Sequence, residues 1–266
     1  MGFGGLRVLA LESRRAAEME QLIRKQGGEP FVAPSMREIP LAENTEAFAF
    51  AERLFAGEFD MAIFLTGVGT RLMNCVLATR YPESAFAAAL QRVAVVARGP
   101  KPSAALREMG ITPTVIAPEP NTWRELLAVT EGRAERRIAV QEYGRPSLEL
   151  LAGLGARGAE VTRVRVYQWD LPEDVEPLRE AVRRLSAGTF DVVLFTTAVQ
   201  MTHLMRVARE EGVEAEALEN LRKCRVCSIG PTTTETLEEF GVHPAMEPSH
   251  PRMGLLVREA AEVAAL

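Results

Sequence analysis

At 266 residues the chain is long enough for one large domain or two of ordinary size, and 47% hydrophobic with 25% charged residues is the balance of a globular protein, not a disordered one. A formal net charge of −5 argues against a general nucleic-acid binder. No apolar run reaches the roughly 18 residues of a membrane span and no signal-peptide pattern opens the chain, so the expected compartment is the cytoplasm.

Taken in chain order, short apolar runs alternate with segments of helical period, the pattern of parallel α/β layers. Arg7 to Leu11 reads as a strand, and Arg14 to Gln26 as an amphipathic helix with Ala17, Leu22 and Ile23 inward, stopped by Gly27-Gly28. Glu29 to Leu41 is a long extended segment containing Pro34 and Pro40. Asp60 to Leu65, Arg92 to Ala97 and Arg137 to Gln141 read as strands. Glu160 to Leu171 is a second long extended segment, running into Pro172. A helix over Val175 to Ser186, with Leu178, Val182 and Leu185 inward, ends at Gly188, and strands over Asp191 to Phe195 and Arg225 to Ile229 follow. Cys224 and Cys227 form a C-x-x-C, but it leads into a strand and has no second pair, so both read as structural thiols. The three histidines are scattered, so no metal site is expected.

The two halves repeat each other at an offset of 131 residues. Arg14, Gly27, Gly99-Pro100, Leu106 and Gly110 recur as Arg145, Gly158, Gly230-Pro231, Leu237 and Gly241, and Phe59-Asp60 recurs as Phe190-Asp191. A duplication of this length predicts two similar lobes with a ligand cleft. The two long extended segments are where the chain would cross from lobe to lobe. In that case each lobe combines the opening β-α-β of one half with the later strands of the other.

The repeat also carries paired polar turns. Thr66-Gly67-Val68-Gly69 and Thr197-Ala198-Val199-Gln200 each follow a strand and open a helix, and helix N-termini present unpaired N–H groups and partial positive charge to an anion. Ordinary capping by threonine would explain one such turn; the matched pair favours ligand binding. Arg98-Gly99 and Gly230-Pro231-Thr232-Thr233 end the next strands in the same way. Gly67-Val68-Gly69 invites a dinucleotide reading, but Leu72 stands where the third small residue is needed. Tyr167, Tyr143 and Arg145 are further site candidates. A phenol is protonated at neutral pH and can donate to a leaving hydroxyl, whereas an aromatic at a lobe junction can equally serve packing.

In this order the elements resemble the uroporphyrinogen-III synthase family. The residues carrying the resemblance are Phe195-Thr196-Thr197-Ala198-Val199, Ile229-Gly230-Pro231-Thr232-Thr233-Thr234-Glu235-Thr236-Leu237, and Gly158-Ala159-Glu160-Val161 followed by Val166-Tyr167. The first-half turn departs from the family pattern at Leu65-Thr66-Gly67, and Pro102 replaces a common threonine. The resemblance implies two flavodoxin-like α/β lobes with parallel sheets joined by a two-stranded linker, one lobe formed by residues 1–36 with 173–266 and the other by 37–172. It implies cyclisation of the linear tetrapyrrole hydroxymethylbilane to uroporphyrinogen III, with ring D inverted and water lost, without metal or organic cofactor. It implies a monomer that meets the upstream deaminase transiently, and it gives Tyr167 the task of assisting loss of the hydroxyl. The alternative is a non-catalytic two-lobed binder or regulator for a small polyanion.

Overall fold

The structure is a computed structural model and describes residues 2–40, 44–142 and 147–264. Its first stretch holds β1 (Arg7–Ala10), α1 (Ala16–Lys25), β2 (Glu29–Val32) and β3 (Arg37–Pro40). Next come α2 (Thr45–Phe55), β4 (Met61–Phe64), α3 (Gly67–Ala78), α4 (Glu83–Leu90), β5 (Ala94–Ala97), α5 (Pro100–Glu108), β6 (Val115–Ile116) and α6 (Trp123–Thr130). These are followed by β7 (Arg137–Gln141), α7 (Leu148–Ala156), β8 (Glu160–Val164) and β9 (Tyr167–Asp170). The last stretch supplies α8 (Glu176–Ser186), β10 (Val192–Phe195), α9 (Ala198–Glu210), α10 (Glu214–Lys223), β11 (Arg225–Ser228), α11 (Pro231–Glu239) and α12 (Met253–Ala264).

Two compact units result: Met1–Arg37 with Trp169–Leu266, and Glu38–Gln168. The first contains a parallel sheet in the order β11-β10-β1-β2, the second a parallel sheet in the order β6-β5-β4-β7-β8. β3 and β9 form a separate two-stranded antiparallel sheet. This is the fold class the sequence predicts.

The sheet orders show how the 131-residue repeat is used. β10 and β11 occupy in one sheet the places of β4 and β5 in the other, while β1 and β2 match β7 and β8. The equivalence extends to side chains. Asp191, just before β10, accepts from the backbone N–H of Arg7 at 2.8 Å and from its guanidinium at 2.8 and 2.9 Å. Asp60, just before β4, accepts from the backbone N–H groups of Arg136 and Arg137 and from the Arg137 guanidinium. Each carboxylate fastens the amino ends of two neighbouring central strands, and the hydrogen bonds from the arginine draw it below the usual carboxylate range, to about 2 for Asp60.

Strand periodicity sorts the core of the first unit into two faces. Leu9, Val193, Phe195 and Val226 pack with Leu178, Val182 and Leu185 of α8 and with Met201, Leu204 and Met205 of α9. Val8, Ala10, Val192, Leu194 and Cys227 face the other way, onto Met19 and Ile23 of α1 and Leu256, Val257 and Ala260 of α12. In α1 the inward stripe is Met19 with Ile23, one helical turn apart; Ala17, expected inside, is exposed, and Leu22 is half-buried. In the second unit Met61, Ile63, Val96, Ile138 and Val140 pack on α6 and α7 through Leu126, Leu150 and Leu154. Cys227 is buried inside this scaffold and Cys224 largely so, and burial pushes their thiols up to about 12 and about 11, away from thiolate chemistry.

Candidate active site

Both sheets deliver helix N-termini at the carboxyl ends of their strands. In the second unit α3 follows β4 and α5 follows β5; in the first, α9 follows β10 and α11 follows β11. Their N-caps are Thr66, Gly99, Thr197 and Gly230. None of these four helices has an Asp or Glu in its first turn, whereas α1 and α7, which follow β1 and β7 of the same sheets, have Glu18 and Glu149 there, and α2, α6, α8 and α10 have Glu46, Glu125, Glu176 and Glu214. A first-turn carboxylate is the usual partner of the helix dipole. Among the described helices α12 shares the feature without following a strand of the sheet. The helices after β4, β5, β10 and β11 thus lack a first-turn carboxylate of their own, although Glu12 accepts from Thr196 beside α9 and Glu247 from Thr234 in α11.

The α3 turn is built tightly. Thr66, extended at φ −141° and ψ 145°, accepts the Gly69 N–H at its side-chain oxygen, 3.0 Å away. A methyl group on Gly67 would lie 2.6 Å from the Lys101 carbonyl, and one on Gly69 would collide with the Gln141 side chain. These glycines are needed because another chain segment crosses them, which is a packing reason and not a phosphate-binding one. Gly67 and Gly69 are buried, while Val68 is half-buried. Gly99 is required for a similar reason: a methyl there would strike Asn121.

Gln141, at the end of β7 and 3% exposed, accepts from the Thr66 N–H at 3.3 Å and donates to the Glu142 carbonyl. A glutamine does the same work in the first unit from another position. Gln200, 1% exposed, accepts from the N–H groups of Thr196 and Thr197 at 2.7 and 3.3 Å and donates to the Leu11 carbonyl at 3.0 Å. Both amides fix a helix N-terminal turn to the end of the adjacent central strand, so the Gln200 side chain is committed to the protein itself. Ala198 and Val199 are also buried, leaving Thr196 and Thr197 as the half-buried side chains of that turn. Thr196 donates to Glu12 at 2.7 Å.

Around α11 the residues singled out in sequence divide. Thr232 is half-buried and Thr233 is buried, and the amides of Thr233 and Thr234 close onto the Gly230 carbonyl. Pro231 takes the first helical position, where its missing N–H costs nothing. Arg98 is half-buried at the end of β5. Tyr143 and Arg145 lie outside the described residues.

Tyr167 is 1% exposed, and its phenol oxygen lies 3.1 Å from the Thr66 hydroxyl. The structure thus brings together two sequence candidates 101 residues apart. Sequence reasoning passed over Gln141, Ser35 and His203. Ser35 donates its hydroxyl to the Leu11 carbonyl, the acceptor also used by Gln200. His203 meets the Ser35 carbonyl at 2.7 Å through Nδ1, and burial lowers its pKa while the Ser35 bond works in the opposite direction. Only the Gln200-like position of a polar residue beside a turn hinted at any of these.

Among the described residues no group of three or more His, Cys, Asp or Glu is placed to hold a metal ion, and no helix is long and apolar enough to cross a membrane. Residues 17–258 match the family model described as uroporphyrinogen-III synthase HemD. The chain belongs to this family. The "Uncharacterized protein YjjA" of Bacillus subtilis (strain 168) is 30% identical over 98% of this chain and 97% of its own. The "Putative uroporphyrinogen-III synthase" of Methanothermobacter thermautotrophicus is 30% identical over 86% of this chain and 87% of its own. A mutant uroporphyrinogen III synthase from the extremely thermophilic bacterium Thermus thermophilus, known as a crystal structure, shares the fold with a TM-score of 0.73 at 24% identity, covering 98% of this chain and 99% of that one. HemD-family membership accounts for the two parallel sheets and the two-stranded one together.

Proposed function

We propose that the chain is a uroporphyrinogen-III synthase, closing hydroxymethylbilane to uroporphyrinogen III with inversion of ring D and loss of water. The observation that supports this reading is the set of four helices after β4, β5, β10 and β11 whose first turns lack a carboxylate of their own, in a member of the HemD family. The substrate bears eight carboxylates, and amide-rich turns grip carboxylates without needing the mobile side chains of lysine or arginine. The reaction itself asks for little beyond that grip. Loss of the hydroxyl as water needs an acid, for which Tyr167, with its phenol 3.1 Å from the Thr66 hydroxyl, is the candidate, and ring inversion needs the chain of pyrroles held in one shape.

The test is to supply freshly generated hydroxymethylbilane with no metal, nucleotide or flavin and to separate the product isomers after oxidation. Unaided closure gives the symmetric type I isomer, so a type III product identifies the activity. Type I alone across protein concentrations and pH would end the reading in favour of a non-catalytic two-lobed binder of small polyanions.

A further inference from the structure

We propose that Thr66 hands the proton to the departing hydroxyl and that Tyr167 stands behind it as the proton reservoir, a two-hydroxyl relay that rests on the synthase reading above. Burial sets the order of the two groups. Tyr167 is 1% exposed and Thr66 is half-buried, so of the two residues the threonine is the more accessible to a ligand.

The valence of the Thr66 oxygen fits that place. A hydroxyl has one hydrogen to give and two lone pairs to receive. The Gly69 N–H takes one lone pair at 3.0 Å; either of the two hydroxyls 3.1 Å apart can donate, and in the relay it is the Tyr167 phenol that donates and fills the second. The Thr66 side-chain oxygen makes no third hydrogen bond among the described residues, so, with the phenol donating, its own hydrogen is left for a ligand.

The step balances without an oxidant or co-reactant. The carbon–oxygen bond of the hydroxymethyl group breaks, and its electron pair leaves with oxygen. That oxygen takes the Thr66 hydrogen and departs as water, while the Thr66 oxygen takes the Tyr167 hydrogen in the same event, so no alkoxide accumulates. A cation delocalised over the pyrrole nitrogen remains, with a phenolate beside the positive end of α3. When ring closure later releases a proton from carbon, the relay runs backwards and restores the phenol.

The experiment compares kcat and product affinity for the wild type, Tyr167→Phe, Thr66→Ser, Thr66→Gly and the Tyr167→Phe/Thr66→Gly double variant. Glycine is chosen because at an N-cap it is tolerated better than alanine; Thr66→Ala gives the same reading should the glycine variant fold poorly. Each single loss of a hydroxyl is expected to lower kcat by a similar factor, on the order of 10²–10⁴, with product affinity within a few-fold. The double variant should be no slower than the worse single one, and Thr66→Ser should stay within a few-fold of wild type. A proton inventory in mixed light and heavy water should be curved for wild type, with two hydrogens in flight, and linear for Tyr167→Phe. Wild-type turnover in Thr66→Gly, losses that multiply in the double variant, or a linear inventory in wild type would overturn the relay and leave the synthase reading standing. A wild type yielding only the type I isomer would bring down both.

Discussion

Gly69→Ala should be costly only while Gln141 is present. The new methyl would collide with the Gln141 amide, which is buried and holds the Thr66 N–H and the Glu142 carbonyl. Pushing that amide aside forfeits two neutral hydrogen bonds and strands buried partners, a cost of about 2–4 kcal/mol. Alanine in place of glycine within a helix gives back at most about 1 kcal/mol, so the net loss is about 1–3 kcal/mol. With Gln141→Ala the obstacle is gone, and Gly69→Ala should then be neutral or stabilising by up to about 1 kcal/mol. The coupling energy in the double-mutant cycle is therefore about 2–4 kcal/mol. Urea unfolding followed by Trp123 fluorescence in a Trp169→Phe background reads the second unit alone, which is needed because two units need not unfold together. An equal penalty for Gly69→Ala in both backgrounds would refute the claim that Gln141 is what demands the glycine.

Three further outcomes follow from the same geometry. Asp60→Asn should lower the urea midpoint of the second unit modestly at pH 7, and the gap to wild type should close as pH falls from about 4 towards 2, because a carboxylate depressed to about 2 contributes stability above its unfolded pKa and loses it through the folded one; a gap independent of pH over that range would contradict it. His203, held neutral by burial beside Arg206 and Asp170, should make the first unit less stable as pH drops below the ordinary imidazole pKa of about 6.5, and His203→Gln should flatten that dependence in a melting series from pH 8 to 5. Leu185→Ala, which empties a fully buried position under α8, should cost about 2–5 kcal/mol in unfolding of the first unit; a loss below 1 kcal/mol would mean the face repacks.

The central strands were legible because each is a short apolar run ending in a polar turn, and the 131-residue repeat signalled two similar sheets. The helix over Val175 to Ser186 was equally plain, since Leu178, Val182 and Leu185 mark one face, and all three are buried. The inward face of α1 was less so: Ala17 and Met19 are both apolar, and only the position of Val8 and Ala10 beneath the helix selects the methionine. β6, two residues long, is too short to leave a period. At the site, threonine before glycine announced the α3 turn, but Gln141 looks like the polar end of any strand until β7 is placed beside β4. The meaning of Gly69 was hidden for the same reason: the residue that requires it lies 72 positions away in sequence.

The interleaved strand order also governs how the molecule is made. β4 to β8 belong to one uninterrupted stretch, Glu38–Gln168, so that unit holds all its strands as soon as it clears the ribosome. β1 must wait for β10, its sheet neighbour, which begins at Val192. At translation rates of about 5–20 residues per second, the amino-terminal β-α-β spends roughly 8–30 s as a nascent fragment with one strand edge unpaired. A segment made before the second unit is thus finished only after it, and the apolar sides of β1 and α1 are the surfaces a nascent-chain chaperone would meet.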